Sequence, residues 1–386
     1  MNLEIKKREL ENKCGYYPNA VILPQKIDGD YPMWGLGGVG DSNGDYVESS
    51  FYDGGWATHG GKYEWNKDEE IYIDADVIYF GMFFNHWGHF LVDLIGRMWF
   101  PACSEKYSSS MKVAYLGEEL PNVNNLEFFR LLGVDKKQLL HVTKPIRCRN
   151  VIVPELAARS CDWYSNTYKL MFDSIVSKAE REGNIEDKYA HIKKLYFTRR
   201  CFGKAMETEL GEEIIEKIFA ENGYTILAPE TLSLSEQIYL WNHAETIACI
   251  NGTIPLNAAF CMNNHLNVII LNKTSIFHGN PYLYLNMRNL KADFVDIYKE
   301  PFKKYPKSLG EGPFLMEVTH SFCDWLNDND MMIPFTKHQL FTKNVLNRIK
   351  YLWCILGIRR KARILLYKLV PQSIKDSIRS ILGKGQ

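Results

Sequence analysis

Three features that would mark a special class of protein are missing from the 386-residue sequence. The longest apolar run near its C-terminus, residues 351–358, is far shorter than the ~20 residues that a membrane-spanning helix needs. Residues 1–13 have no apolar core, so we expect no secretory signal peptide. The nine cysteines include no C-x-x-C pair, and we therefore expect reduced thiols in a cytoplasmic protein.

The overall composition excludes other classes. Apolar residues make up 46% and charged residues 24% of the chain, which is typical of globular proteins and not of disordered or fibrous ones. The length predicts two domains, or one large one.

The charge is balanced in sum but not along the chain. The formal net charge is zero, yet residues 337–386 contain twelve Lys or Arg and a single acid, Asp376. Apolar residues recur there at helical spacing, at Phe341, Val345, Ile349, Leu352 and Leu356, and again at Ile374, Ile378 and Ile381. This pattern predicts a basic amphipathic helical tail.

We expect this tail to bind an anionic membrane, at the inner face of the cytoplasmic membrane, because basic amphipathic helices favour such surfaces. The alternative is a solvated helix that packs on the acidic remainder of the chain. No sequence feature supports nucleic-acid binding.

The order of predicted elements indicates an α/β fold. Residues 15–65, which we call the entry region, are rich in Gly, Asp, Tyr and Trp and predict irregular β structure. Two series of alternating strands and helices follow, which is typical of parallel sheets covered by helices. The first series comprises strands at 71–73, 77–80, 112–116, 138–142 and 150–153 and helices at 87–100 and 124–132. After a helix at 166–182 and a polar linker, the second comprises strands at 194–198, 224–227, 246–250 and 267–271 and helices at 211–222, 233–243 and 255–262.

A candidate catalytic group lies in the first predicted helix. His86, His89 and Asp93 are spaced i, i+3 and i+7, so a helix places them on one face. Histidine is suited to act as a general base at neutral pH, and a carboxylate one turn away can fix its tautomer. The same residues can instead cross-link a core, or hold a metal, since two imidazoles and a carboxylate form a catalytic zinc set. Asp74 and Asp76 form a D-x-D pair, for which a strand edge is the commoner explanation.

Two candidate anion sites lie in the second series. Residues 247–260 predict a strand, a Gly turn and a helix that Thr253 caps, and such a turn attracts a diphosphate through its backbone N–H groups. Arg199 and Arg200 follow a predicted strand and can make bidentate contacts to phosphate.

Three sequence blocks, in order, carry a resemblance to a known family. NHWGHFLVDLIGRMW (85–99) resembles the "gHFl-D-l-R-lW" helix of glycosyltransferase family 61, and LYFTRR (195–200) resembles its "iyiSR" strand. GYTILAPETLSLSEQ (223–237) with AETIACINGT (244–253) is similar to the block "Gf-v-pE-lSf-EQ … Ad-iv-HGA". The family's His-Gly-Ala is Asn251, Gly252 and Thr253 here. Its second Arg falls on Lys204, and Glu209 matches its Glu.

The resemblance implies a GT-B fold, in which two Rossmann-like domains face a cleft. The expected domains are an acceptor-side domain at 1–185, a nucleotide-sugar-binding domain at 186–335 and the tail at 336–386. The implied activity is inverting and metal-independent transfer of a sugar from a nucleoside-diphosphate donor to a glycan or lipid-linked glycan, in capsular or cell-surface polysaccharide synthesis, without a cofactor.

The resemblance and the residues together give a set of expected site residues. His89 or Asp93 is the expected base, and Asn85 and His86 are expected on the acceptor side. The expected donor-binding residues are Arg199, Arg200, Lys204, Glu209, Glu236, Asn251, Gly252 and Thr253. Two alternatives stay open, which are a catalytically inactive scaffold of a polysaccharide assembly complex and a metal-dependent hydrolase that uses His86, His89 and Asp93.

Overall fold

The computed structural model describes residues 3–9, 12–27, 35–54, 58–118, 122–182, 185–301, 306 and 308–357. Over these residues the chain is a mixed α/β protein, which confirms the predicted class. The apolar repeat at Ile374, Ile378 and Ile381 lies outside the described residues. All nine cysteines lie within them, and no two of them are joined in a disulfide.

Helices and strands alternate along most of the described chain. The strands are β1 (Lys6–Arg8), β2 (Cys14–Pro18), β3 (Val21–Ile27), β4 (Gly35–Gly40), β5 (Tyr52–Asp53), β6 (Thr58–His59), β7 (Ile71–Phe83), β8 (Lys112–Gly117), β9 (Leu139–His141), β10 (Ile146–Pro154), β11 (Ala158–Arg159), β12 (Trp163–Ser165), β13 (Lys194–Phe197), β14 (Glu209–Leu210), β15 (Thr225–Leu227), β16 (Thr246–Ile250), β17 (Asn267–Asn272), β18 (Ala292–Asp296) and β19 (Phe314–Leu315). The α-helices are α1 (Trp87–His89), α2 (Trp99–Cys103), α3 (Val123–Leu131), α4 (Asn166–Glu182), α5 (Glu186–Tyr189), α6 (Gly203–Thr208), α7 (Glu212–Glu221), α8 (Leu234–His243), α9 (Asn280–Arg288), α10 (His320–Asp328) and α11 (Lys337–Ile355).

The chain forms two compact units whose segments interleave in sequence. Unit 1 comprises Met1–Phe197, Pro229–Ile270 and Phe277–Phe294. Unit 2 comprises Thr198–Ala228, Leu271–Ile276 and Val295–Gln386. The domain boundaries near residues 185 and 335 and the GT-B arrangement stay predictions.

The largest sheet lies in unit 1 and has the strand order β4-β3-β10-β7-β8-β9, with β2 also paired to β10. Strands β10, β7, β8 and β9 are parallel, as the strand–helix alternation predicts. Strands β2 and β3 from the entry region run antiparallel to β10 and extend the sheet. In the second sheet, β13, β16, β17 and β18 follow one another, and β13 and β16 are parallel.

The two strands predicted at 71–73 and 77–80 are one continuous strand, β7. Asp74 and Asp76 lie within it and bind side chains of the neighbouring β10. The Arg149 guanidinium donates to Asp74 Oδ1 at 3.2 Å and to Asp76 Oδ1 at 3.1 Å, and Asn150 Nδ2 donates to Asp76 Oδ1 at 2.8 Å. These cross-strand contacts give the D-x-D pair a structural role, although β7 lies between β10 and β8 and not at the edge of the sheet.

The regular helix predicted at 87–100 is instead a series of different helical turns. After α1, residues Phe90–Leu94 form a π-helical turn and Ile95–Arg97 a 3-10 turn, and α2 follows. His86 caps the segment, because its Nδ1 accepts from the His89 N–H at 3.3 Å. A π-helical turn is rare and is often found at functional sites.

Helix α11 forms most of the described part of the predicted tail, and it packs on other elements of unit 2. Its Tyr351 is buried against Leu210 of β14 and Leu315 of β19, with Cys354 and Ile355 beside it. Asn347 is also buried, and its Nδ2 donates to Glu213 Oε1 at 2.8 Å. Among the described helices, none is long and apolar enough to cross a membrane.

These contacts predict that two aromatic residues of α11 differ in their effect on stability. Tyr351→Ala should lower the free energy of unfolding by about 3–5 kcal/mol, because it leaves a cavity in the core of unit 2. Trp353→Ala is the matched control, since Trp353 is half exposed, and we expect a change within about 0.5 kcal/mol. Urea unfolding of the full chain measures both variants, and equal losses would contradict the packing of α11.

Candidate active site

The centre of the candidate site is the buried carboxylate of Asp93, whose two oxygens each meet a different partner. Its Oδ1 accepts from the Tyr52 hydroxyl at 2.7 Å, and its Oδ2 lies 2.7 Å from His89 Nδ1. The Asp93 side chain is 1% exposed, whereas that of His89 is 31% exposed. A carboxylate at this distance fixes the proton of the imidazole on Nδ1 and makes Nε2 the basic nitrogen.

Buried hydroxyl groups surround this carboxylate. Burial, followed by the charge of Asp93, raises the pKa of Tyr52 far above its ordinary value, so its hydroxyl stays a donor. Tyr168 and Tyr284 both donate to the carbonyl oxygen of Leu91, at 2.7 and 2.8 Å, and burial raises the pKa of both. The π-helical turn that carries Asp93 is therefore held by neutral donors.

Arg97 holds the segment that brings Tyr52 to Asp93. Its guanidinium is buried and donates to the carbonyl oxygens of Ser49 and Phe51 at 2.8 and 2.9 Å. It also lies over the ring of Tyr79, 5.5 Å from the centroid. Arg97 was not among the expected site residues, although it is the Arg of the first matching block.

The two residues expected on the acceptor side are exposed and adjoin His89. The rings of His86 and His89 have centroids 4.6 Å apart. The backbone N–H of Asn85 donates to Glu118 Oε2 at 2.7 Å, and its Oδ1 accepts from the Asn122 N–H at 3.1 Å. These contacts hold the start of the helical segment against the following loops of unit 1.

The turn at residues 251–253 lies beside this segment in unit 1. A Cβ atom on Gly88 would lie 3.1 Å from Thr253 Oγ1, so glycine at 88 permits their close approach. Gly252 has φ +155°, and the space where its Cβ would project is open. Asn251 is buried, and its Oδ1 lies 2.8 Å from Nδ1 of His278, a residue that no sequence pattern indicated.

The helix after this turn differs from the prediction. It is a seven-residue 3-10 helix, Ile254–Phe260, rather than a helix at 255–262. Pro255 lies in its first turn as expected, but the Thr253 side chain makes no capping hydrogen bond, because Thr253 has helical backbone angles. The prediction that Thr253 caps this helix was therefore wrong.

Four of the expected donor-binding residues lie in unit 2, where a buried carboxylate joins two cations. Glu209 Oε2 accepts from Arg199 Nε at 2.8 Å, and its Oε1 accepts from Lys273 Nζ at 2.7 Å. The Lys273 side chain is 2% exposed. Burial opposes the ionisation of Glu209, but Lys273 and Arg199 outweigh it and lower the pKa of Glu209. Lys273 was not among the expected residues, because no sequence motif contains it.

The other two cationic residues that were expected to bind the donor, Arg200 and Lys204, are exposed. Arg200 pairs with Glu216 at 2.7 Å, and Lys204 lies on the outer side of α6. The backbone carbonyl oxygen of Lys204 accepts from the Thr208 hydroxyl at 2.8 Å. Lys273, and not Lys204, is thus the buried second cation beside Glu209.

Glu236 lies in unit 1, where protein contacts occupy its carboxylate. Its Oε2 accepts from the Ser233 N–H at 2.8 Å in a capping box at the start of α8. Its Oε1 accepts from Lys188 Nζ at 2.6 Å and from the Tyr189 hydroxyl at 2.8 Å. Although burial opposes ionisation, these hydrogen bonds lower the pKa of Glu236 to about 2. A structural role explains this residue, and donor binding stays a prediction.

Within the described residues, no group of three or more His, Cys, Asp or Glu side chains is arranged to hold a metal ion. In the trio proposed for a hydrolase, the Asp93 oxygens meet Tyr52 and His89 Nδ1. His86 Nδ1 accepts from a backbone N–H. The geometry thus gives no support to the metal-site alternative.

Comparison with known proteins identifies one family. The family model described as Glycosyltransferase 61 matches residues 87–269, just under half of the chain, which confirms the resemblance seen in the three blocks. The matched segment contains His89, Asp93, Arg97, Arg199 and Asn251. No curated protein matches the chain.

The contacts of Asp93 predict the tautomer of His89. In Asp93→Asn, the amide oxygen still accepts from Tyr52, so the amide NH₂ faces His89 Nδ1 and the imidazole must carry its proton on Nε2. Nitrogen-15 NMR of the histidine rings should show Nδ1–H in the unmodified chain and Nε2–H in Asp93→Asn. Tyr52→Phe is the control and should keep Nδ1–H. An Nδ1–H tautomer in Asp93→Asn would contradict the assigned geometry.

The buried ion pair of unit 2 predicts a large effect at Lys273. Lys273→Met leaves Glu209 buried with one cation fewer, and breaking such a pair typically costs ~3–5 kcal/mol of unfolding free energy. The double variant Lys273→Met, Glu209→Leu should recover much of that loss, because it removes the uncompensated charge. Lys204→Met is the exposed control, with an expected change within about 0.5 kcal/mol. Chemical unfolding measures all three, and a mild effect of Lys273→Met would contradict the buried pair.

Proposed function

On the premise that residues 87–269 belong to glycosyltransferase family 61, we propose that this glycosyltransferase moves a sugar from a nucleoside-diphosphate donor to a glycan acceptor. The proposed setting is capsular or cell-surface polysaccharide synthesis, with a glycan or lipid-linked glycan as acceptor. The observation that carries the proposal is the hydrogen-bonded chain from Tyr52 through Asp93 to His89, because it prepares an imidazole to accept a proton.

In the proposed reaction, His89 is the base and Asp93 positions it. Nε2 of His89 takes the proton of the acceptor hydroxyl while the hydroxyl oxygen attacks the anomeric carbon. The bond from that carbon to the diphosphate oxygen breaks, and the diphosphate leaves with the electron pair. A single displacement of this kind inverts the anomeric centre. The carboxylate of Asp93 stabilises the imidazolium that forms.

Exposure favours His89 over Asp93 as the proposed base. The Asp93 side chain is 1% exposed and both its oxygens already have partners, so an acceptor hydroxyl does not reach it. The His89 side chain is 31% exposed, with Nδ1 turned to Asp93. His89 is therefore the proposed catalytic residue, and Asp93, Tyr52 and Arg97 are positioning residues.

The leaving diphosphate requires positive charge or N–H donors, since the proposed reaction uses no metal. In unit 2, Glu209 fixes the Nε edge of Arg199, which orients the planar guanidinium for bidentate phosphate contacts. In unit 1, the backbone at Gly252 borders open space. We propose two separate candidate contacts for the donor, Arg199 within unit 2 and the turn at Gly252 within unit 1.

A thermal-shift screen tests donor binding. A nucleoside-diphosphate sugar at about 100 times its Kd should stabilise the chain by ~2.7 kcal/mol. His89→Ala should keep this shift but lose ~10²–10⁴-fold in transfer rate, which is the usual cost of losing a general base. His191→Ala is the matched control, since His191 is an exposed histidine of unit 1, and its rate should stay unchanged.

Each other result of this screen has a defined meaning. Near-normal transfer by His89→Ala would overturn the assignment of the base. If no nucleotide sugar binds, the result would favour a catalytically inactive scaffold over an enzyme. This alternative was motivated by Asn251 and Lys204, which stand where the family has His and Arg. Hydrolytic activity that a chelator removes would instead favour the metal-dependent hydrolase.

A further inference from the structure

Helix α11 has an apolar face that the described part of the chain leaves exposed. Its inner face is buried on unit 2 through Asn347 and Tyr351. Its outer face carries six large apolar side chains that are 40–68% exposed. We call this set the outer face, and it consists of Phe341, Leu346, Ile349, Leu352, Trp353 and Leu356.

The outer face is continuous and has basic residues along both edges. With about 100° between successive helical residues, its six side chains fall within an arc of roughly 140°. Lys343 and Lys350 border one edge of the arc, and Lys337 and Arg348 border the other. Among the described residues of α11, only His338 and Thr342 are polar within the arc. Residues 337–357 contain no acid.

We propose that the outer face of α11 docks on an anionic lipid membrane, with the helix axis parallel to the membrane plane. A helix in this position buries its apolar side chains among the lipid tails. The side chains of Lys337, Lys343 and Lys350 extend to the headgroups, whereas Arg348 is paired with Glu317 at 2.6 Å. Trp353 suits the boundary between the headgroups and the lipid tails. This proposal makes the predicted membrane association of the tail specific to one helix face, and it does not depend on the proposed sugar transfer.

Charge favours an anionic membrane over the other possible occupants. A second copy of α11 would bring Lys343 and Lys350 against residues of the same sign. Residues 358–386 of the chain carry eight further Lys or Arg and one acid, so they also have the wrong sign to cover α11. An anionic lipid surface complements both the apolar arc and its basic edges. The first 336 residues carry a net formal charge of −11, so attraction to the membrane is confined to the C-terminal part.

Co-sedimentation of the full chain with vesicles tests the proposal. The unmodified protein should sediment with vesicles of phosphatidylcholine and phosphatidylglycerol, at least about tenfold less with phosphatidylcholine alone, and less as salt rises. Ile349→Glu, Leu352→Glu should reduce binding to the anionic vesicles by about tenfold or more. The matched control is Ser321→Glu, Met332→Glu, which adds the same charge at exposed positions of unit 2 and should bind as the unmodified chain does.

A second variant keeps the test informative if the first one unfolds. Lys343→Glu, Lys350→Glu changes two exposed side chains at one edge of the arc and should weaken binding to anionic vesicles, although residues 358–386 keep their eight Lys or Arg. Equal sedimentation of the outer-face variant and the unmodified chain would overturn the proposal. So would light scattering that shows a dimer which Ile349→Glu, Leu352→Glu dissociates, because a second copy would then cover the outer face.

Discussion

The carboxylate of Asp93 is buried between the Tyr52 hydroxyl and His89 Nδ1, and the arrangement of the candidate site depends on these two hydrogen bonds. Burying a carboxylate is costly unless donors satisfy it. Asp93 has one donor from the entry region and one from its own helical segment, so the contacts that satisfy the charge also orient the imidazole. Removing the Tyr52 hydroxyl therefore affects both the stability of the buried charge and the carboxylate that orients His89.

The same requirement explains why the irregular entry region belongs to the site. Arg97 lies one turn beyond Asp93, and among the described residues no carboxylate forms an ion pair with it. Its guanidinium instead donates to the carbonyl oxygens of Ser49 and Phe51. This anchors the backbone next to Tyr52. Two buried ionisable groups of the helical segment, Asp93 and Arg97, thus both bind the entry region. Arg97 binds its backbone, and Tyr52 of the same region donates its hydroxyl to Asp93.

Local sequence patterns predicted much of the fold, but not the contacts between distant residues. Helix α4 has the predicted bounds 166–182, and α8 begins at Leu234, directly after Ser233, whose capping box explains this start. The i, i+4 contact of His89 and Asp93 was visible in the spacing. The π-helical turn could not be predicted, because the hydrogen bonds from Tyr168 and Tyr284 to Leu91 join residues that are distant in sequence. Lys273 and His278 were missed for the same reason, since Glu209 and Asn251 are distant in sequence.

The most direct test of this account is whether Asp93 acts through His89. A double-mutant cycle on kcat, with His89→Ala, Asp93→Asn and the combined variant, measures their coupling. If Asp93 only positions His89, Asp93→Asn lowers kcat when His89 is present but causes no further loss of kcat in the His89→Ala background. Independent losses that multiply in the combined variant would show that Asp93 contributes on its own, and would contradict the central claim.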